Sequence, residues 1–351
     1  MNMSDTMFGL KKEQKGTGAP VWHDDLPIPE PKEDEVLVKV NRAALCGTDI
    51  HIIDWDKWSR IWVKPPVIMG HEACGEVVLA GKNVKDRKPG DRVAFESHIP
   101  CGKCPMCLSG RSNMCMNMSL FGVGRDGAFA EYVAAPEKIT YKLTDDISDD
   151  VGCLFEPMGS GIRGVEKAEV EGKNVLVSGC GAIGLTVIAG AKTFGAEKVI
   201  ACDILPERLK DAEKMGADIT VNSSETDIIS FCRDLTGGLG VDAAIDVTGA
   251  PVAIINGIKA LKNGGRLVGV GFPSGEVGLD LTNDVYYREV EITGVCGRRI
   301  WETWDNFAKV MRSPFFDASV IIGGTYALHD FEKAVDDYRA GVPGKKLFRI
   351  E

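Results

Sequence analysis

The chain changes its hydrophobic rhythm once, near residue 160. Before that point apolar and polar residues alternate in short runs. Glu35 to Arg42 (Glu-Val-Leu-Val-Lys-Val-Asn-Arg) has the period of two that predicts a half-buried strand. Further strands are expected at Ala73 to Ala80 and at Arg92 to Phe95, the latter behind a Pro89-Gly90-Asp91 turn. Short strands broken by Gly and Pro predict a β-rich region. Beyond residue 160 apolar runs alternate with helical patterns. Strands are predicted at Asn174–Ser178, Lys198–Asp203, Ile219–Asn222, Val241–Val247 and Arg266–Val270, and helices at Leu185–Thr193, Pro206–Met215, Thr226–Leu235 and Pro251–Leu261. Such alternation predicts a parallel, doubly wound α/β sheet. From Ile300 to Ser313, Trp301, Trp304, Phe307 and Val310 recur at helical spacing and are read as a core-facing stripe.

Composition narrows the function. With 351 residues, 44% of them apolar and 26% charged, the chain can bury two separate cores. A formal net charge of -10 argues against a nucleic-acid or anionic-membrane partner, because both demand clustered Lys and Arg, and leaves a small-molecule substrate. No apolar run approaches the roughly 20 residues of a membrane span. The stretch from Met1 to Gly18 has no apolar signal segment, so a cytoplasmic location is expected. In a reducing compartment, closely spaced cysteines are metal ligands more often than disulfides.

Three stretches carry chemistry. Cys46-Gly-Thr48-Asp-Ile-His51, followed by Gly70-His71-Glu72, offers a thiolate, an imidazole and a carboxylate. Together they can hold an open zinc with a position left for an alcohol oxygen. Cys101, Cys104, Cys107 and Cys115 have the spacing of a closed, structural zinc site, although an iron–sulfur cluster or unligated thiols would use similar runs. Glu156 lies in an apolar stretch; it is either a metal partner or an acidic residue at a helix start. Trp55, Trp58 and Trp62 are read as covering a sheet end in preference to lining a pocket. Cys74, Cys153, Cys180, Cys202, Cys232 and Cys296 are read as packing residues.

The third stretch, Gly179-Cys-Gly181-Ala-Ile-Gly184, falls between a predicted strand and a predicted helix, with Asp203 nineteen residues later. That is the fingerprint of a dinucleotide site: the glycines let the backbone approach a pyrophosphate at the helix N-terminus, and the acid accepts hydrogen bonds from a ribose. Asp203 disfavours a 2'-phosphate, so NAD is expected over NADP; Arg208 would either recruit such a phosphate or lie across the adenine.

With both cysteine patterns and the fingerprint in this order, the chain resembles the zinc-dependent medium-chain alcohol dehydrogenases over nearly all its length. Cys46 to His51, Trp55 and Trp58, Ser97-His98-Ile-Pro-Cys101, Gly297-Arg298 and Glu302-Thr303-Trp304 look like the threonine-oxidising branch of that family. The resemblance implies a GroES-like zinc catalytic domain over 1–160 and 301–351, a Rossmann NAD-binding domain over 161–300, and a homotetramer. It implies two zinc ions. Cys46, His71, Glu72 and Glu156 would serve the catalytic ion, with Glu156 either a ligand or a relay carboxylate. Thr48 and His51 match a proton relay that runs through the cofactor ribose, and His98 and Arg298 match substrate contacts, with Arg299 in reserve. Ile183, Asp203, Arg208, Val270, Gly271, Phe272, Val295 and Cys296 match NAD contacts. The implied reaction takes L-threonine to 2-amino-3-ketobutyrate. One departure bears on the substrate: after Glu156-Pro157 that branch carries Gly-Asn-Ala-Val, whereas this chain runs Met158-Gly159-Ser160-Gly161-Ile162-Arg163. The alternatives are a polyol or vicinal-diol dehydrogenase and, more remotely, a non-catalytic zinc- and NAD-binding protein.

Overall fold

The computed structural model describes residues 6–351, so the first five residues of the N-terminal stretch read as free of a signal segment lie outside it. Among the described residues, no helix is long and apolar enough to cross a membrane. The chain forms two compact units. Their boundaries fall between Pro157 and Met158, inside helix Phe155–Ala168, and between Ile321 and Ile322.

The first unit is built on a seven-stranded sheet ordered Thr140–Lys142, Arg92–Phe95, Glu72–Ala80, Glu35–Ala44, Lys345–Arg349 and Ile322–Ala327, with Tyr132–Pro136 also pairing on Glu35–Ala44. A smaller sheet joins Thr6–Lys12 to Val21–Pro27 and Val67–Ile68. The alternation at Val36, Val38 and Val40 turns these side chains into one core with Phe95, Phe121, Phe129, Phe331 and Phe348. Phe129 meets Phe331 and Phe348 edge-on at 5.6 and 5.3 Å, an arrangement the ring quadrupoles favour. Register then does the functional work. Ala44 is paired with Glu72 on one side and Leu347 on the other, so Cys46 and His71, just outside their strands, and Lys345, the first residue of its own, gather at one end of the sheet. Trp55 and Trp58 pack against this core, as a covering role requires.

The second unit holds a six-stranded sheet with every pairing parallel, ordered Ile219–Asn222, Lys198–Asp203, Asn174–Ser178, Val241–Asp246, Leu261–Gly269 and Glu291–Gly294. Numbered along the chain this is 3-2-1-4-5-6, the doubly wound dinucleotide-binding order. Central strands are buried on both faces and read as continuous apolar runs. Sequence periodicity placed five of the six strands; Leu261–Gly269 starts five residues earlier than expected because Lys262 to Gly265 break the apolar pattern there. Glu291–Gly294 was missed, being an edge strand with mostly exposed side chains.

The second boundary corrects the expected one. Residues 301–321, assigned from the sequence to the zinc-bearing half, belong to the second unit. Helix Glu302–Met311 buries Trp304, Phe307 and Val310 completely, and beyond its end Thr193 and Ser313 share a hydrogen bond of 2.9 Å. The apolar stripe was legible; the surface it covers was not.

Candidate metal centres and dinucleotide site

Cys46 caps the N-terminus of helix Gly47–Asp54, its backbone N–H donating to Asp49 Oδ2 at 2.9 Å. His71 and Glu72 are 5% and 0% exposed at the start of the adjacent strand. Their approach is fixed by packing around Gly70, whose φ is +92°. A Cβ on Gly70 would strike the Phe129 ring at 2.4 Å, and one on Gly127 would lie 2.1 Å from Gly70 O, so the peptide entering His71 is clamped on both sides. One ligand atom each from Cys46, His71 and Glu72 lies within 4.8 Å of the others. Bond lengths of about 2.0–2.3 Å around a tetrahedral zinc put ligand atoms some 3.5 Å apart, so the set fits one ion.

Unsatisfied atoms supply an independent test of that fit. Asp49 Oδ1, His71 Nδ1 and Glu72 Oε1 are buried without a hydrogen bond. Buried polar groups rarely lack partners, and a bound cation would satisfy this cluster of acceptors. His71 Nδ1 lies 3.8 Å from Asp49 Oδ1, which places a carboxylate behind the imidazole as in many zinc-bound histidines. Burial pushes Glu72 well above the ordinary carboxylate range and Cys46 above the ordinary thiol, while Lys345 opposes both shifts. Lys345 is ion-paired with Glu72 and donates to Leu45 O at 2.7 Å. Its own burial would lower its pKa, but Glu72, Cys46 and Glu156 outweigh that and raise it. The site is therefore an anion-rich pocket whose charge Lys345 partly offsets.

Glu156 stands outside the mutually close set, its Oε1 accepting from Ser97 Oγ at 2.6 Å. Thr48 and His51 occupy one face of helix Gly47–Asp54, and His51 is exposed, with Nδ1 2.9 Å from Asp56 Oδ2. His98 sits beside Glu96, which is fully buried. Arg298 lies in the second unit, 4% exposed, with its methylenes against the Cα of Gly159; Arg299 pairs with Glu302 at 2.9 Å.

Cys101, Cys104, Cys107 and Cys115 bring their four Sγ atoms within 4.8 Å of one another, with Cys104 3.5 Å from Cys107 and 3.9 Å from Cys115. Such spacing suits a single ion; a cluster of several irons would hold the sulfurs farther apart. Backbone N–H groups point at the sulfurs, and the N–H of Lys103 above all lowers Cys101 to about 6. Burial, reinforced by the neighbouring Cys104 thiol, raises Cys107 to about 11. Leu108 and Met116 around them are 75% and 70% exposed, so metal binding and not a core would hold this lobe.

In the second unit the dinucleotide residues collect at the carboxyl ends of the parallel strands. Gly179 has φ +95°, and a Cβ on Gly184 would sit 1.8 Å from Gly179 O, so only glycine permits the turn. Gly181, the N-cap of helix Ala182–Thr193, has nothing within 4 Å of the Cβ position, which leaves room for a phosphate; Ile183 follows in its first turn. Asp203 is more deeply engaged than its spacing suggested. Its Oδ2 accepts from Cys180 N at 2.8 Å, and Oδ1 from Ile204 N and Leu205 N at 2.8 and 3.0 Å, with Arg208 at 3.8 Å. Val270, Gly271 and the exposed Phe272 follow strand Leu261–Gly269, and Val295 and Cys296 follow Glu291–Gly294. Cys296 is exposed, contrary to a packing role.

Sequence reasoning missed Lys345, Asp49 and Glu96. Only Asp49 and Glu96 had a local signal, an acid within three residues of a candidate ligand or substrate histidine.

Two family models match the chain: an alcohol dehydrogenase GroES-like domain over residues 32–145 and a zinc-binding dehydrogenase domain over 182–313. It is 39% identical to the L-threonine 3-dehydrogenase of Thermococcus kodakarensis over 99% of both chains. It is 38% identical to that of Escherichia coli over 93% of this chain and 95% of the other. Among solved structures, the 2R,3R-butanediol dehydrogenase of Bacillus subtilis superposes with a TM-score of 0.88 at 28% identity, covering 99% of this chain and 100% of that one. With its zinc-type ligand sets and its dinucleotide turn in place, the chain belongs to the zinc-dependent medium-chain alcohol dehydrogenases.

Proposed function

We propose that this enzyme is an NAD-dependent L-threonine 3-dehydrogenase that oxidises the C3 hydroxyl to give 2-amino-3-ketobutyrate. The observation that carries the reading is the Cys46–His71–Glu72 set, with His71 and Glu72 buried and polar atoms left unsatisfied, in a chain 39% identical to a threonine dehydrogenase over 99% of both lengths. A zinc held by Cys46, His71 and Glu72 would supply Lewis acidity toward the alcohol oxygen, and NAD held at the glycine turn would supply the hydride acceptor. The protein's own part is to place and discharge the proton. Thr48 accepts the hydroxyl proton as it releases its own, and His51, one helical turn on and exposed, delivers the relayed proton to solvent. Lys345 keeps the anionic ligand set from repelling itself. Gly179 to Gly184 seat the pyrophosphate, with Asp203 and Arg208 at the ribose end. Cys101, Cys104, Cys107 and Cys115 would hold the second, structural zinc.

His98 is assigned to the substrate hydroxyl, and Arg298 to its carboxylate. The burial of Arg298 makes that second assignment the more exposed to test. The protein is read as a cytoplasmic homotetramer with no nucleic-acid or membrane partner, which light scattering would check. A vicinal diol is the second candidate substrate, favoured by the Met158–Arg163 departure and by the butanediol dehydrogenase fold match. NAD reduction should be followed across amino alcohols and polyols with zinc measured in the same preparation. L-Threonine should give the highest kcat/KM, and 2,3-butanediol or sorbitol exceeding it would reject the substrate while leaving the reaction class standing.

A further inference from the structure

His98 is gripped by Glu96, the acid two residues before it. The chain leaves strand Arg92–Phe95, bends at Ser97 and resumes as strand His98–Ile99, and its backbone is tied on both sides by Glu96 N to Ile139 O at 2.8 Å and Phe121 N to Ser97 O at 2.9 Å. The bend lets three consecutive side chains converge. Glu96, 0% exposed, brings Oε1 to 2.9 Å from the backbone N of His98 and to 3.0 Å from its Nδ1. Two nitrogens of one residue thus meet a single carboxylate oxygen. Ser97 Oγ stands 3.3 Å from the same Nδ1 and donates to Glu156 Oε1 at 2.6 Å.

With the Glu96 carboxylate ionised, one distribution of protons satisfies these four contacts. The backbone N–H must donate, so Oε1 is an acceptor. An ionised carboxylate has no proton to give, so Nδ1 must carry one. The single hydroxyl proton of Ser97 goes to Glu156, so toward Nδ1 the Ser97 Oγ acts as an acceptor and takes a weak share of Nδ1–H. The opposite tautomer would point an imidazole lone pair at a buried carboxylate oxygen.

We propose that Glu96 is a positioning residue for the dehydrogenase reaction: its carboxylate locks His98 in the Nδ1–H tautomer and in one ring orientation, so that Nε2 is the ring's hydrogen-bond acceptor. For an amino-alcohol substrate this presents a lone pair, not a second donor, to the hydroxyl or ammonium proton. A carboxylate behind a histidine plays the same orienting part in many metal sites, where its loss costs on the order of 10–100-fold. The kinetic part of the proposal rests on the reading of this chain as an alcohol dehydrogenase; the tautomer does not.

The test is a long-range proton–nitrogen spectrum of the zinc-loaded wild-type protein, with His98 assigned among the five histidines by the peaks that vanish in His98→Asn. The expected result is a protonated Nδ1 and an unprotonated Nε2. Glu96→Leu should populate the other tautomer and lower kcat/KM about 10–100-fold for the best alcohol of the panel. Glu96→Gln, whose amide oxygen can still accept both N–H groups, should keep the tautomer and recover most of that loss. A wild-type ring protonated at Nε2 overturns the proposal, even if Glu96→Leu does not fold. So does a Glu96→Gln variant as impaired as Glu96→Leu with equal loss of thermal stability, which is what a purely structural carboxylate predicts. If no alcohol is oxidised, the function proposed above fails while the spectrum still decides the tautomer.

Discussion

Lys345 and Asp203 show how much a single side chain's surroundings change its meaning. Lys345 is a partly buried cation, its side chain 13% exposed, whose neighbours Glu72, Cys46 and Glu156 are all anionic or become so on metal binding. Removing one member of a buried pair leaves the other charge uncompensated, at a cost of about 3–5 kcal/mol. Lys345→Met should therefore destabilise the metal-free protein strongly and the zinc-loaded protein much less, since the ion replaces the lost cation. Thermal melts with and without chelator would show the gap widening; a gap that narrows would mean that Lys345 supports the metal and does not substitute for it. Asp203 carries a comparable lesson for the cofactor. Its carboxylate takes three backbone N–H groups and so ties the glycine turn to the start of the next helix. Asp203→Gly should narrow the NAD over NADP preference and also lower stability by about 1–3 kcal/mol, because those donors lose their acceptor. A variant that switches preference with an unchanged melting curve would show that the turn holds without it.

At the level of elements, the two cysteine sites should separate cleanly. Cys104→Ser removes a ligand from a lobe with little apolar packing, so one zinc should be lost together with thermal stability. Cys46→Ser acts at a helix N-cap anchored by a well-packed sheet, so turnover should disappear while the melting temperature stays near wild type. Elemental analysis of both variants checks the assignment: each should retain one zinc of two. The dinucleotide turn is less forgiving. Gly184→Ala places a methyl 1.8 Å from Gly179 O, a contact no rotamer can relieve, and should abolish measurable NAD binding by calorimetry.

For the whole molecule, the chain's last strand is a central one. Lys345–Arg349 lies between Glu35–Ala44 and Ile322–Ala327, so truncation after Gly344 would open the sheet and delete Lys345 together. The truncated protein should be insoluble or zinc-poor on expression, unlike a typical trimming of an exposed terminus. Sequence alone determined what short-range spacing can encode. The four-cysteine run, the glycine turn and the alternation of strands with helices are set by neighbours within some twenty residues, and their geometry follows from the backbone period. Tertiary structure decided the rest. The pairing of Ala44 with both Glu72 and Leu347 brings Lys345 to the metal set across most of the chain, and no local pattern records that register. The placement of residues 301–321 in the second unit and the burial of Arg298 were hidden for the same reason. An apolar stripe or an Arg announces that it needs a partner, but which surface provides one depends on how distant strands align.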